Sequence, residues 1–228
     1  MSEAIVLLSG GLDSATALAV AVEKGHDIVA LTFDYGQRHK REVESARKIA
    51  KHYKIKDHIV IPLDLGRLLK SSLTQKHLAI PEGGPKGEVS SGIPSTYVPA
   101  RNMIFLSIAT SIAESRGAEH VYIGVNAVDY SGYPDCRPEY IEAFERMANL
   151  ATKAGVEGRL RIKIRTPLIQ MTKADIIRKG VELGVDYRLT HSCYDPSPEG
   201  KACGQCDSCL LRKKGFREAG VSDPTEYR

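Results

Sequence analysis

The sequence holds no apolar run approaching the length of a membrane span, which excludes a helical membrane protein. No signal-peptide pattern precedes the first apolar stretch, so a cytoplasmic location is the expectation. Internal repeats and low-complexity tracts are missing, which excludes a solenoid. No basic block large enough for tRNA is present, and the net charge of +4 is spread along the chain. Such a balance suits a phosphate-bearing small substrate as well as nucleic acid, and decides nothing by itself. Cysteines number only five, and in a cytosolic chain they are not a disulfide framework.

What is present is an ordinary globular composition, 42% hydrophobic and 26% charged, over 228 residues. That length suffices for one sizeable α/β domain and an appendage. The chain opens with AIVLL, Ala4 to Leu8, a short apolar run expected of a strand buried on both faces. From Asp13 the spacing turns helical, with Ala15, Leu18, Ala19 and Val22 on one side and Gly25 as the stop. Ser9 to Ser14 is therefore a strand-to-helix turn. Its paired glycines allow a tight bend and close ligand approach, and the free N–H groups of the first helical turn favour an anion. Asp13 beside an anion site makes sense if a cation such as Mg²⁺ lies between them. The plainer alternative is a helix cap and a turn. The stretch is not a Walker A loop, because no lysine follows, and it lacks the third glycine of a dinucleotide fingerprint.

Further along, Asp27 to Gly36 reads as a second buried strand, and Val43, Ala46, Ile49, Ala50 and Tyr53 form the stripe of a surface helix. HIVIPL is a third strand. A Gly-, Pro- and Ser-rich segment from about Asp64 to Pro99 follows, either a lid or a passive insert. A helix with Ile104, Phe105, Ile108 and Ile112 on one face leads to the strand HVYIGV. The polar NAVDYSGYPDCRPEY then occupies the carboxyl end of that strand, where open α/β sheets bind ligands. A helix beginning near Pro138, a half-basic strand LRIKIRTPL suited to an edge, and a helix capped by Thr172 with Asp175 complete an alternating pattern. The pattern predicts an open, doubly wound parallel sheet.

Cys193, Cys203, Cys206 and Cys209 are separated by nine, two and two residues. Thiolates at that spacing wrap one tetrahedral cation, and four of them close its shell, so a Zn²⁺ here would be structural. An iron–sulfur cluster is the alternative, although Leu210 and Leu211 follow Cys209 instead of a fourth ferredoxin cysteine and proline. His191 is a fifth claimant. We expect a main domain over 1–190 and a zinc-binding region over 191–228 packed on it.

LSGGLDS resembles the signature of the PP-loop ATP pyrophosphatase superfamily, adenine nucleotide alpha hydrolase-like enzymes that cleave ATP between the α and β phosphates. FDYGQRH, STYVPARN, DYSGYPDCRPEY, TPLIQMTKADI and CGQCDSC, in that order over nearly the whole chain, are similar to the 7-cyano-7-deazaguanine synthase family. One departure is His191 in THSCY, where many members carry tryptophan or another residue. The resemblance implies conversion of 7-carboxy-7-deazaguanine and ammonia to the nitrile, driven by ATP with Mg²⁺, on the way to queuosine. It also implies a homodimer, with no direct nucleic-acid partner. The ATP site it implies runs through Leu8, Ser9, Gly10, Gly11, Leu12, Asp13, Ser14, Ala15, Thr16, Ala17 and Leu18, with adenine near Thr32 and Phe33. Asp13, Arg101 and Lys173 are the expected catalytic residues; Asp129, Tyr130, Tyr133, Asp135 and Arg137 are expected on the substrate side. Cys136 is expected to be a small buried thiol, its alternative a persulfide carrier in a tRNA-thiolating ligase. A zinc-knuckle nucleic-acid module is a third reading, hinted at only by LRKKGFR.

Overall fold

The structure is a computed structural model that describes residues 2–83, 92–128 and 133–228. In chain order its elements are β1 (Glu3–Leu7), α1 (Leu12–Glu23), β2 (Asp27–Asp34), α2 (Arg41–His52), β3 (Asp57–Pro62) and α3 (Leu65–Leu68). They continue with α4 (Arg101–Arg116), β4 (His120–Tyr122), α5 (Pro138–Ala151), α6 (Lys153–Val156), β5 (Lys163–Arg165), α7 (Lys173–Glu182) and α8 (Asp207–Ala219). The five strands are all parallel and lie in the order β3-β2-β1-β4-β5. The half-basic strand is at the edge, as its composition suggests.

The alternation of side chains along β1 sorts the core into two layers. Ile5 and Leu7 face one cluster with Leu106 and Ala109 of α4 and Ile141 and Phe144 of α5. Ala4, Val6 and Leu8 face the other, with the alanines of α1, Ile49 of α2, Ile176 and Ile177 of α7, and Phe216 of α8. Helices thus cover both sheet faces, as continuous apolar strands require. The expected cap at Thr172 forms in full: its hydroxyl accepts from the Asp175 amide, while the Asp175 carboxylate accepts from the Thr172 amide.

Two expectations shift in detail. On α4, the buried positions are Asn102, Leu106, Ala109, Thr110 and Ala113; Ile104, Phe105, Ile108 and Ile112 are only partly buried. The long segment after β3 is tied down over its described part. Arg38 donates to the carbonyls of Ser72, Lys76 and Leu78, and Gly83 N–H reaches Gln205 O at 3.0 Å. Glu82 pairs antiparallel with Cys206, joining this segment to the cysteine-rich terminus.

Candidate active site and metal centre

The sheet reverses its winding between β1 and β4, because β2 follows on one side and β4 on the other. At such a switch point the two strand ends diverge and leave a crevice. The turn after β1 fills one wall. Gly10 has φ +89°, and a Cβ there would stand 2.1 Å from the Glu42 carbonyl oxygen of α2. Only glycine lets the turn and α2 meet this closely. Ser9 Oγ donates to Ser14 Oγ at 3.0 Å and accepts from the Gly11 amide at 3.3 Å, which shapes the turn from within. From the β4 side, Gly124 lets the backbone approach Asp13: a Cβ would lie 2.8 Å from the Asp13 carbonyl.

The crevice is a cavity of about 260 Å³. Leu8, Ser9, Gly11, Leu12, Asp13 and Ser14 line it, together with Phe33, Arg101, Tyr133 and Lys173. Sequence-distant charges are brought together here. Lys173 Nζ, at the start of α7, lies 2.7 Å from both carboxylate oxygens of Asp13. Arg101 opens α4 directly after Ala100, which holds a left-handed φ of 53° uncommon for a residue with a Cβ. Its guanidinium donates to Tyr35 OH at 3.2 Å. Burial pushes the Tyr35 phenol up to about 12 against the pull of Arg101. Arg101 itself remains charged: burial opposes the guanidinium, but Tyr35, Tyr133 and Glu42 outweigh it.

Other expected site residues sit differently. Ala15, Thr16, Ala17 and Leu18 are buried within α1, and the Thr16 hydroxyl is 2.9 Å from Tyr187 OH. Thr32 donates to the Leu8 carbonyl at 2.7 Å and contacts His58 Nε2, while Phe33 stacks on Phe105 with centroids 4.0 Å apart. Tyr133 OH is 2.9 Å from the Thr96 hydroxyl. Asp135 is buried and accepts the Asn102 amide at 2.9 Å, holding the first turn of α4. Arg137 is exposed and donates to the Pro134 carbonyl. Asp129 and Tyr130 lie outside the described residues. Cys136 lines the cavity, and burial, aided by Asp135, pushes its thiol up to about 12. It is 8% exposed, a small buried thiol as expected.

The four C-terminal cysteines are all buried, and their sulfurs lie within 4.8 Å of one another. Tetrahedral Zn–S bonds of about 2.3 Å would place sulfurs roughly 3.8 Å apart, and Cys203 and Cys209 are separated by 3.9 Å. Backbone amides point at the sulfurs: Asp195 and Cys203 donate to Cys193 Sγ, and Gln205 and Cys206 to Cys203 Sγ. The donor set therefore fits a metal that takes thiolates. His191 stands outside it, its ring Nε2–H donating to the Cys193 carbonyl and its edge on His39; burial, with His39 adding to it, drives it down to about 4 and keeps it neutral.

A family profile described as queuosine biosynthesis protein QueC matches residues 3–220. The chain belongs to the QueC family. It is 63% identical over 225 residues to the 7-cyano-7-deazaguanine synthase of Desulfatibacillum aliphaticivorans, covering 99% of this chain and 96% of the relative. It is 60% identical over 227 residues to the enzyme of that name from Myxococcus xanthus (strain DK1622), covering 100% and 98%. Among solved structures it is similar to an NMN synthetase from Francisella tularensis, with TM-score 0.49 and 19% identity over 97% of this chain and 73% of that one.

Within this QueC fold, three cavity residues escape a reading by motif. Glu42 is half-buried on the wall beside Arg101, and burial, only partly offset by Arg101, raises its carboxyl to about 7. In sequence it is one more acid on an amphipathic surface helix. Asn126, past β4, donates to the Leu168 and Met171 carbonyls and ties the floor to the loop before α7. Asp207 opens α8 from between two cysteine ligands, where the metal spacing draws attention away from it.

Proposed function

We infer that this chain is an ATP-dependent ligase that makes 7-cyano-7-deazaguanine from 7-carboxy-7-deazaguanine and ammonia. The observation that carries the reading is the Ser9–Ser14 turn at the sheet's switch point, with Asp13 and Lys173 paired over the cavity that Arg101 also lines. A carboxylate is a poor electrophile with a poor leaving group, and adenylation cures both faults. The substrate carboxylate attacks the α-phosphorus, the α–β bond breaks, and pyrophosphate leaves into the amides and hydroxyls of Ser9, Gly10, Gly11 and Ser14. Mg²⁺, when bound with ATP, would be held beside Asp13 and neutralise phosphate charge. Ammonia then displaces AMP to give the amide. A second ATP activates the amide oxygen, and loss of AMP and protons leaves the nitrile. Arg101 and Lys173 stabilise the charge on the α-phosphate oxygens and on the departing groups. Glu42, poised near neutrality, takes up a proton as ammonia adds.

The C-terminal cysteines are read as holding one Zn²⁺ per chain, structural and without an open position. Residues 191–228 form the region it organises, packed on a domain over 1–190. The half-buried apolar stripe of Ile104, Ile108 and Ile112 beside exposed Met103 supports a homodimer joined through α4.

The test is the nucleotide product. With ATP, Mg²⁺, ammonium and the acid, ³¹P NMR is expected to show AMP and pyrophosphate, two of each per nitrile, only when the acid is present. ADP and orthophosphate as the sole products would remove the adenylation mechanism.

A further inference from the structure

Two acids near the cavity have hydrogen-bonded partners. Asp13 is committed to Lys173, and Asp135 to the Asn102 amide. Asp207 differs. It lines the cavity, is 2% exposed, and neither carboxylate oxygen has a hydrogen-bond partner among the described residues. The nearest cation along α8, Arg212, is spent elsewhere, on Asp223, Thr190, Ser192 and the Tyr187 carbonyl. A buried carboxylate with both oxygens unmet is costly, and the favourable field of the α8 N-terminus does not replace hydrogen-bond donors.

We propose that Asp207 recognises the guanine-type edge of the substrate, its two oxygens accepting the adjacent ring N1–H and exocyclic 2-amino hydrogens. This rests on the reading of the substrate as 7-carboxy-7-deazaguanine. The match is one of chemistry and number. A guanine edge presents two neighbouring donors, a carboxylate presents two neighbouring acceptors, and the pair forms in parallel. A cation such as ammonium would also satisfy a carboxylate, but a single small ion leaves the side-by-side pair of acceptors less fully used. The placement makes Asp207 a specificity residue: it touches the end of the substrate remote from the reacting carboxyl. It also gives the cysteine knuckle a second task. Asp207 lies between Cys206 and Cys209, so the metal site fixes where the edge-reading carboxylate stands.

The experiment compares the natural acid with its analogue lacking the 2-amino group, by AMP release, in the metal-loaded enzyme. Wild type is expected to prefer the natural acid by about 10- to 100-fold in kcat/KM, because the analogue leaves one buried oxygen unmet. Asp207→Asn, which offers one acceptor and a clashing donor, is expected to lose most of that preference, chiefly through KM for the acid. Metal content and melting temperature show that the variant is folded. Asp207→Ser serves in its place if the amide variant fails to fold. An unchanged preference in either folded variant would overturn the proposal. So would a KM rise confined to ammonium, or a wild-type enzyme indifferent to the 2-amino group, an outcome that needs no variant. If wild type released no AMP with either acid, the substrate reading itself would be wrong, and that result is distinct from the others.

Discussion

At the scale of single residues, Asp13 and Glu42 make separable predictions. Asp13 and Lys173 are partly buried, with side-chain exposures of 29% and 14%, and an asparagine at 13 would keep the side chain's shape and one oxygen to accept from Lys173. Asp13→Asn is expected to lower kcat by about a hundredfold or more while leaving the melting temperature nearly unchanged; steady-state AMP release and thermal denaturation check both halves. Glu42 concerns pH. Its folded pKa, about 7, lies above the ordinary value of 4.5. The native state therefore binds more protons than the unfolded chain between those values, and the stability tied to Glu42 is present below about 4.5 and lost as pH rises through about 7. Glu42→Gln should thus gain melting temperature relative to wild type as pH goes from 5 to 8. A difference between the two proteins that stays flat across that range would contradict the burial assigned to this carboxyl. Neither Glu42 nor Asp207 is marked in the sequence, because burial is set by what packs around a residue. The acid of a solvent-facing pattern and the acid inside a metal motif look alike until the tertiary contacts are known.

At the scale of elements, two glycines decide whether the turn after β1 can lie in the crevice. Gly10→Ala would need a left-handed alanine with its Cβ inside the backbone of α2, at a cost of about 3 kcal/mol or more. Gly124→Ala has no such backbone strain but would press on Asp13 from below. Its effect is expected on kcat first and on melting temperature second, a split that denaturation and kinetics on the same preparation can resolve. Much of this level was legible beforehand: the five strands, their alternation with helices, the Thr172 cap and the edge position of β5 all follow from periodicity and capping chemistry. The face of α4 was less so. Ile104, Ile108 and Ile112 are the larger side chains, yet Ala109 and Ala113 are the ones pressed on the sheet, because α4 approaches β1 closely and small residues permit it. Nor does anything in the sequence announce that Glu82 and Gly83 would pair with Gln205 and Cys206, since backbone pairing over such a separation leaves no local pattern.

At the scale of the whole molecule, the four-cysteine cluster joins the loop that carries Cys193 to the start of α8, and Glu82 pairs with Cys206 beside it. One zinc per chain is expected by elemental analysis; iron with acid-labile sulfide would put a cluster in its place. Cys209→Ser substitutes a hard, protonated oxygen for a thiolate, so the metal should leave and the melting temperature fall by on the order of 10 °C. Hydrogen exchange should then quicken at Glu82 and Gly83 as well as across the knuckle. Acceleration limited to residues after Cys193 would show that the early segment is held by other means. Four thiolates at that spacing were readable as a metal site from sequence alone. What they fasten was not.

The arrangement of the sheet also has a consequence in time. β1 is the first strand made and the middle one in space, and α1 behind it is closed by α7 and by Phe216 of α8. At about 5–20 residues per second, some tens of seconds separate β1 leaving the ribosome from the arrival of Phe216. Throughout that interval the nascent chain carries an apolar helix without its cover. α1 meets the delay with alanine: Ala15, Ala17, Ala19 and Ala21 are four of its eight buried residues. Side chains this small pack tightly once α7 and α8 arrive, yet while they wait they offer little adhesive area to chaperone-free neighbours on the same polysome.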